Sequence, residues 1–493
     1  MVTRQRHNRR MAFPLPSSLS SRSLLLSAIA VATLAACSHT TPLAQQEMSL
    51  PVPAQWHSPT PTPSQAERSQ NLAQWWQGFG DARMVALIEQ ALQANPSILS
   101  ARAAVEQARA LVDVQGAALL PSLNASAGGR RSKQGFNDAG NSYNASLDAS
   151  WELDLWGQRR NAVRAGEENL AASQASLYAA HVSLSAEVAL NYIQLRSLQE
   201  RLRIAQTNLA LQAETDEMTR WRVQAGLAAS LDAEQARQTL AQTAAQIPSL
   251  QASVAQTQHA LAVLTGQAPA ALVADLTAAA PVPQAPQDWA LRLPADTLRQ
   301  RPDVQVQEHK VQAALANLSA QERANFPTLR LSGSLGVSAL AVGALTSGAS
   351  VARSIAAALA APLFDGGANR AQISAQKASV EQARQAYRAS VLSALQEVED
   401  ALEQLHGDQQ RLQHLATAAD AAGNAQLLAQ QRYDSGLIDF RSVLESQRSL
   451  LSSQDSLASA QAAISTDFVQ LFKALGGGWQ PQAQDLAATS LTE

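Results

Sequence analysis

Two periodicities take turns along this 493-residue chain, and each succession occurs twice. From Met84 to Ala118 apolar residues recur every three or four positions, among them Val85, Leu87, Ile88, Leu92, Ile98, Leu99 and Val105. That spacing predicts one amphipathic helix, stopped by Pro121. The period then drops to two. Tyr143, Ala145, Leu147, Ala149, Trp151 and Leu153 alternate with Asn144, Ser146, Asp148, Ser150, Glu152 and Asp154, so a strand over Tyr143–Asp154 has one apolar and one polar face. Farther on, Leu329, Leu331, Leu335 and Val337 alternate in the same way with Arg330, Ser332, Ser334 and Ser338. Ser122–Arg130 and Ser354–Leu363 alternate less cleanly and read as the hairpin partners. All four are about as long as a tilted strand must be to cross a bilayer.

After each hairpin the helical period returns over an unusual distance. Neither Gly nor Pro occurs from Glu167 to Ala225, which predicts a helix roughly 90 Å long. The chain turns at Gly226 and returns through Leu231–Val263, with Pro248 marking a kink or local break. The second half has Ala368–Arg432, a turn at Gly436, and a return from Leu437 to Leu475. Helices of that length suit crossing a gap more than enclosing a core.

The landmarks of the two halves fall in one order, as expected of an internal duplication. Asn95-Pro96 answers Arg301-Pro302, and Leu120-Pro121 answers Phe326-Pro327. Asp154-Leu155-Trp156-Gly157 answers Leu363-Phe364-Asp365-Gly366-Gly367. Gly226-Leu227 answers Gly436-Leu437, and Leu264-Thr265-Gly266 answers Leu475-Gly476-Gly477. The chain therefore divides into a leader (1–36), a proline-rich arm (37–73), a first repeat (74–267), an Ala/Pro-rich linker (268–292), a second repeat (293–479) and a tail (480–493).

Composition sharpens this picture. Aromatics are only 4% of residues, which suits helices packed closely through small side chains. The net charge of −3 points neither to nucleic acid nor to an anionic surface as the partner. No apolar run after residue 37 could cross a membrane as a helix, so any crossing must be made by strands. The eight histidines form no close pair with metal-ligand spacing, and Gly476-Gly477-Gly478 lacks the Lys-Ser/Thr of a phosphate loop. No catalytic and no metal-binding residue is assigned. Trp151, Trp156 and Phe364 stand near the strand ends next to the long helices, where they can serve at a membrane interface or pack the strand–helix junction.

The only cysteine directly follows the leader. Arg4, Arg6, Arg9, Arg10 and Arg22 precede the short apolar run Leu24–Ala36, a pattern of secretion and not of membrane spanning. Leu34-Ala35-Ala36-Cys37 resembles the lipobox of bacterial lipoproteins. That resemblance implies Cys37 as the first mature residue, carrying a thioether-linked diacylglycerol and an acylated amine, with no other cofactor expected.

Four strands cannot close on themselves, and an open edge in hydrocarbon leaves backbone groups unpaired. Other copies must complete the sheet. Two would give eight strands and a filled interior, while three would give twelve and a lumen. The polar row Asn144, Ser146, Asp148 and Ser150, continued by Arg330, Ser332 and Ser334, calls for water, which favours three.

The lipobox, the duplicated helix–hairpin–helix halves and three local motifs together resemble the outer-membrane factor (TolC) family. The motifs are Asp154-Leu155-Trp156-Gly157, Pro362-Leu363-Phe364-Asp365-Gly366-Gly367 and the run from Leu471 to Trp479. The match is closest to its lipoprotein branch, which serves resistance–nodulation–division efflux pumps. The resemblance implies a mainly α fold with a small transmembrane β-barrel. Four strands per chain would enter a twelve-strand barrel of a homotrimer, above a periplasmic α-barrel of long antiparallel helical hairpins. It implies a passive, non-enzymatic exit duct in outer-membrane lipid, docked through a periplasmic adaptor (membrane fusion) protein to an inner-membrane resistance–nodulation–division transporter. The cargo would be drugs or other small toxic compounds. It also implies a constriction near Gly226 and Gly436, where Tyr433, Glu445 and Arg448 match the family's gate positions. Arg441, Glu445 and Arg448 share one helix face, and Arg–Glu pairing there would offset like-charge repulsion between copies. Two other readings stay open: a channel for type I secretion of polypeptides, and a non-channel coiled-coil lipoprotein of the envelope.

Overall fold

The computed structural model describes residues 56–57, 72–133, 135, 138–285 and 295–480. The first half comprises α1 (Ala82–Ala94), α2 (Pro96–Ala117), β1 (Ser122–Ser132), β2 (Gly140–Leu153), α3 (Gln158–Gln224) and α4 (Ser230–Leu264). The second comprises α5 (Pro302–Arg323), β3 (Thr328–Ala339), β4 (Val351–Ala360), α6 (Ala368–Asp434) and α7 (Phe440–Ala474). The duplication is quantitative: α2 and α5 have 22 residues each, α3 and α6 have 67, and α4 and α7 have 35. At 1.5 Å per residue the longest pair spans roughly 100 Å. The fold is mainly helical with one small sheet, as the two periodicities predict.

Three expectations need correction. The helix expected over Met84–Ala118 is two helices broken at Asn95, which closes α1 and caps α2. Pro96 has no N–H to donate and drives the residue before it to extended backbone, here φ −66° and ψ 130° at Asn95. Of the kink or local break expected at Pro248, the break is absent, since α4 runs through it. The fourth strand lies three residues earlier than Ser354–Leu363, because Pro362 cannot donate to a ladder and the alanine-rich stretch before it has no contrast to fix its limits.

The four long helices end alike. Gly226, Gly266, Gly436 and Gly476 all have positive φ. The following residue donates back to a carbonyl five positions earlier, as from Leu227 to Arg222 and from Leu437 to Arg432, both at 2.8 Å. This is the Schellman turn, which glycine enters without a Cβ penalty. It accounts for the glycine landmarks of both halves, including the helix-ending role of Gly476.

The core lies partway along the long helices. Trp75, Trp76 and Phe79 from a short 3-10 helix join Met84, Leu87 and Ile88 of α1. They pack with Tyr192, Ile193 and Leu195 of α3 and with Val398, Leu402, Phe468 and Phe472 of α6 and α7. Trp75 stacks on Phe472 at 5.3 Å. One cluster thus binds both halves into a girdle. Among the described residues no helix is long and apolar enough to cross a membrane.

Candidate functional site: the sheet face and the helical tip

The sheet is antiparallel in the order β1-β2-β3-β4, so β1 and β4 are its open edges. Its register brings like to like. Asn144, Asp148 and Ser150 face Ser338, Ser334 and Ser332, and Glu152 faces Arg330. Leu147 faces Leu335, and Trp151 faces Leu331. Directly opposed residues share a face, so Asn144, Ser146, Asp148, Ser150, Arg330, Ser332 and Ser334 all lie on one side. Hydrogen bonds knit that side: Arg330 Nη2 donates to Ser150 Oγ at 3.0 Å, Ser146 Oγ to Asp148 Oδ2 at 2.7 Å, and Ser334 shares one with Ser354 at 2.7 Å. The opposite face carries Leu123, Leu147, Leu335, Ile355 and Leu359, all exposed. Ile355 is 95% exposed on an edge strand, a placement that water alone would not tolerate well.

Where the strands meet the helices, Trp151 Nε1 donates to the Leu119 carbonyl at 2.8 Å and Trp156 Nε1 to the Pro327 carbonyl at 2.7 Å. Trp156 also stacks on Phe326 at 5.1 Å. Both tryptophans therefore pack the junction, whereas Phe364 stays exposed. Beneath, Glu168 holds His309 at 2.8 Å, which gives that histidine a partner between helices.

At the far end α3 and α6 turn into α4 and α7. Asp439 caps α7 by accepting from the Ser442 hydroxyl at 2.6 Å and the Ser442 backbone N–H at 3.0 Å, and these bonds hold its carboxyl below the usual carboxylate range. Val443, Leu444 and Gln447 are buried on one side of α7, which leaves Arg441, Glu445 and Arg448 exposed on the other. Glu445 pairs with Arg441 at 3.1 Å. Arg448 turns away and donates to Thr239 Oγ1 of α4 at 2.8 Å. Tyr433 is half-buried against Phe440, with ring centroids 5.3 Å apart. The residue that pattern reading missed is Arg222. Its guanidinium carbon lies 4.7 Å from the Tyr433 ring centroid, and Nη2 lies 3.6 Å from Asp434. A cation over a phenol face and an ion pair thus tie the end of α3 to the end of α6. Its one sequence signal is that Arg222 precedes Gly226 at the same interval at which Arg432 precedes Gly436. Leu227 and Leu437, on the two turns, are 78% and 73% exposed.

Cys37 lies outside the described residues. Among the described residues no cluster of His, Cys, Asp and Glu could hold a metal ion.

A model of the family described as "Outer membrane efflux protein" matches residues 87–267 and 293–477, most of the chain in two copies. The chain belongs to the outer membrane efflux protein family. It is 33% identical to the pyoverdine export outer membrane protein OpmQ of Pseudomonas aeruginosa, over 94% of this chain and 98% of that one. It is 30% identical to the toluene efflux pump outer membrane protein TtgF of Pseudomonas putida, over 82% of this chain and 85% of that one. The solved outer-membrane channel OprN superposes with a TM-score of 0.81 at 33% identity, over 88% of this chain and 99% of that one. This efflux protein is accordingly an outer-membrane channel component and not an enzyme.

Proposed function

We propose that three copies of this efflux protein form the outer-membrane exit duct of a tripartite pump and conduct small toxic compounds passively out of the periplasm. The observation that carries this reading is the two-faced sheet, open at both edges, standing on helices of 67 residues. Three such sheets pair edge to edge into twelve strands, with the Asn144–Ser150 and Arg330–Ser334 rows lining water and the leucine rows facing lipid. The helices continue as a hollow cylinder. Cys37, exposed by removal of residues 1–36, anchors the 37–73 arm in the membrane by its acyl chains. Repeats 74–267 and 293–479, joined by 268–292, each give the trimer one strand pair and one helical hairpin, and the 480–493 tail follows the second.

The tip closes on Tyr433, Arg441, Glu445 and Arg448, with the Arg441–Glu445 pair offsetting like charges where copies meet. The exposed Leu227 and Leu437 turns offer an adaptor protein an apolar landing, and the adaptor joins the duct to an inner-membrane resistance–nodulation–division transporter. Because relatives are named for pyoverdine and for toluene, cargo choice is assigned to that transporter. The purified mature protein should run as a heat-modifiable trimer and conduct weakly in planar bilayers, and Glu445→Ala with Arg448→Ala should raise the conductance. A monomer that conducts nothing would end the proposal, while a conducting trimer indifferent to the double substitution would remove only the gate assignment. Cys37→Ser should abolish labelling by radioactive palmitate.

A further inference from the structure

One cation stands on the wrong side of the sheet. Arg353 of β4 pairs with Leu335, whose row continues through Leu147 and Ala125 on the apolar face. Among the described residues its side chain makes no hydrogen bond or ion pair. Beside it lies a groove of about 610 Å³. Its floor is Ala149 and Gly333, which face each other across β2 and β3, with Leu123 and Ile355 at its two sides. Leu147 and Leu335 bound it on the side nearer the loops. A Cβ on Gly333 would come no closer than 3.7 Å to its nearest neighbour, the Ser354 carbonyl, so the depression is not filled from within.

Arg353 is the third residue of β4 from the loop end, remote from the long helices. With the helices in the periplasm, that is the outer-leaflet end. A guanidinium beside leucine and isoleucine in hydrocarbon is unfavourable unless its stem carries it to the headgroup level and an anion meets it there. Phosphate suits it best, because the planar fork makes two parallel charge-assisted bonds. Arg131, near the loop end of the other edge strand, shares the apolar face, with Lys133 just beyond. When sheets join edge to edge, β4 of one copy lies beside β1 of the next, so these cations gather at one seam.

We propose that this groove and Arg353 form a binding site for a phosphorylated lipid of the outer leaflet, an acyl chain lying over Ala149 and Gly333 and the phosphate held by Arg353 with Arg131 of the neighbouring copy. The site rests on the trimeric-barrel reading. Its occupant is a glycolipid of the lipid A type, since that combines phosphates with several acyl chains.

The test uses the full mature protein in neutral-lipid nanodiscs, loaded with bis-phosphorylated lipid A or its dephosphorylated form, and retained lipid counted by native mass spectrometry. The wild type should hold the phosphorylated form about ten-fold better, and Arg353→Gln should erase most of that preference. Gly333→Leu, which fills the floor, should lower retention of both forms at unchanged trimer yield, and Arg370→Gln on a periplasmic helix should change nothing. Equal retention of the two lipids by wild-type trimers, or full retention by trimers of Arg353→Gln, would overturn the site and leave the duct standing. Failure of the wild type to form trimers would overturn both.

Discussion

Asn95 and Arg301 hold the same post in the two halves, each directly before a proline, and they do the same work with different chemistry. Asn95 Nδ2 donates to the Leu264 carbonyl at the end of α4, at 2.8 Å. Arg301 Nη1 donates to the Ala474 carbonyl at the end of α7, at 2.7 Å, while Nη2 pairs with Asp303 and Glu397, each at 2.7 Å. Each locks the returning helix onto the start of its own repeat and satisfies a carbonyl the helix leaves unpaired. Arg301→Ala should cost about 2–3 kcal/mol in thermal unfolding, because it orphans that carbonyl and two acidic partners. Arg301→Lys should restore only part of the loss. Another buried site links stability to pH. Asp467 is 4% exposed, and burial, reinforced by the neighbouring Asp408 carboxylate, pushes its carboxyl up to about 7. The native state therefore holds a proton that the unfolded chain has released, so its stability declines as pH rises toward about 7. Asp467→Asn should raise the melting temperature more at about pH 8 than at about pH 5, flattening the profile. None of these partners was legible in the chain. Tyr433, Glu445 and Arg448 are proposed from their position in a known pattern and Arg441 from the helix face it shares with two of them, but Arg222 reaches Tyr433 from the other half, and local spacing holds no record of that contact.

At the scale of elements the chain was far more readable, because long helices and two-faced strands repeat one simple signal many times over. What periodicity could not register was interruption and weak contrast. Apolar spacing continues across Asn95-Pro96 as though nothing happened, since proline is welcome in the first turn of the next helix. Val351–Ala360 is mostly small and apolar, so only pairing with β3 defines where it begins. The turn glycines were visible, and the structure grades them. A Cβ at Gly436 meets nothing within 4 Å, so Gly436→Ala should cost only the left-handed backbone penalty, about 1–2 kcal/mol. At Gly266 a Cβ would fall 2.5 Å from the Ala94 carbonyl. Gly266→Ala should therefore lower the melting temperature further than Gly436→Ala, and equal losses would mean the close approach relaxes freely.

For the whole molecule, the decisive contrast is between a girdle that one chain completes alone and a sheet that it does not. The core around Trp75 and Phe472 needs no second copy, whereas β1 and β4 are left with open edges. Barrel assembly should thus be the step most sensitive to the apolar face. Leu147→Arg should cost about 2–4 kcal/mol if it sits at mid-membrane and reduce trimer yield on unboiled gels. Ser146→Arg, one position away on the polar face, should be tolerated. The reverse order of yields would mean the faces are exchanged, and equal yields would mean that neither face meets lipid.

In the proposed trimer, an outer wall built in shares has a genetic price. Once neighbours have zipped together, no member can leave without stripping backbone bare in oil, so a faulty subunit is trapped with its sound companions for the life of the assembly. Alleles that fold but jam the passage should therefore be dominant over the normal gene, whereas alleles that never reach the membrane should be silent beside it.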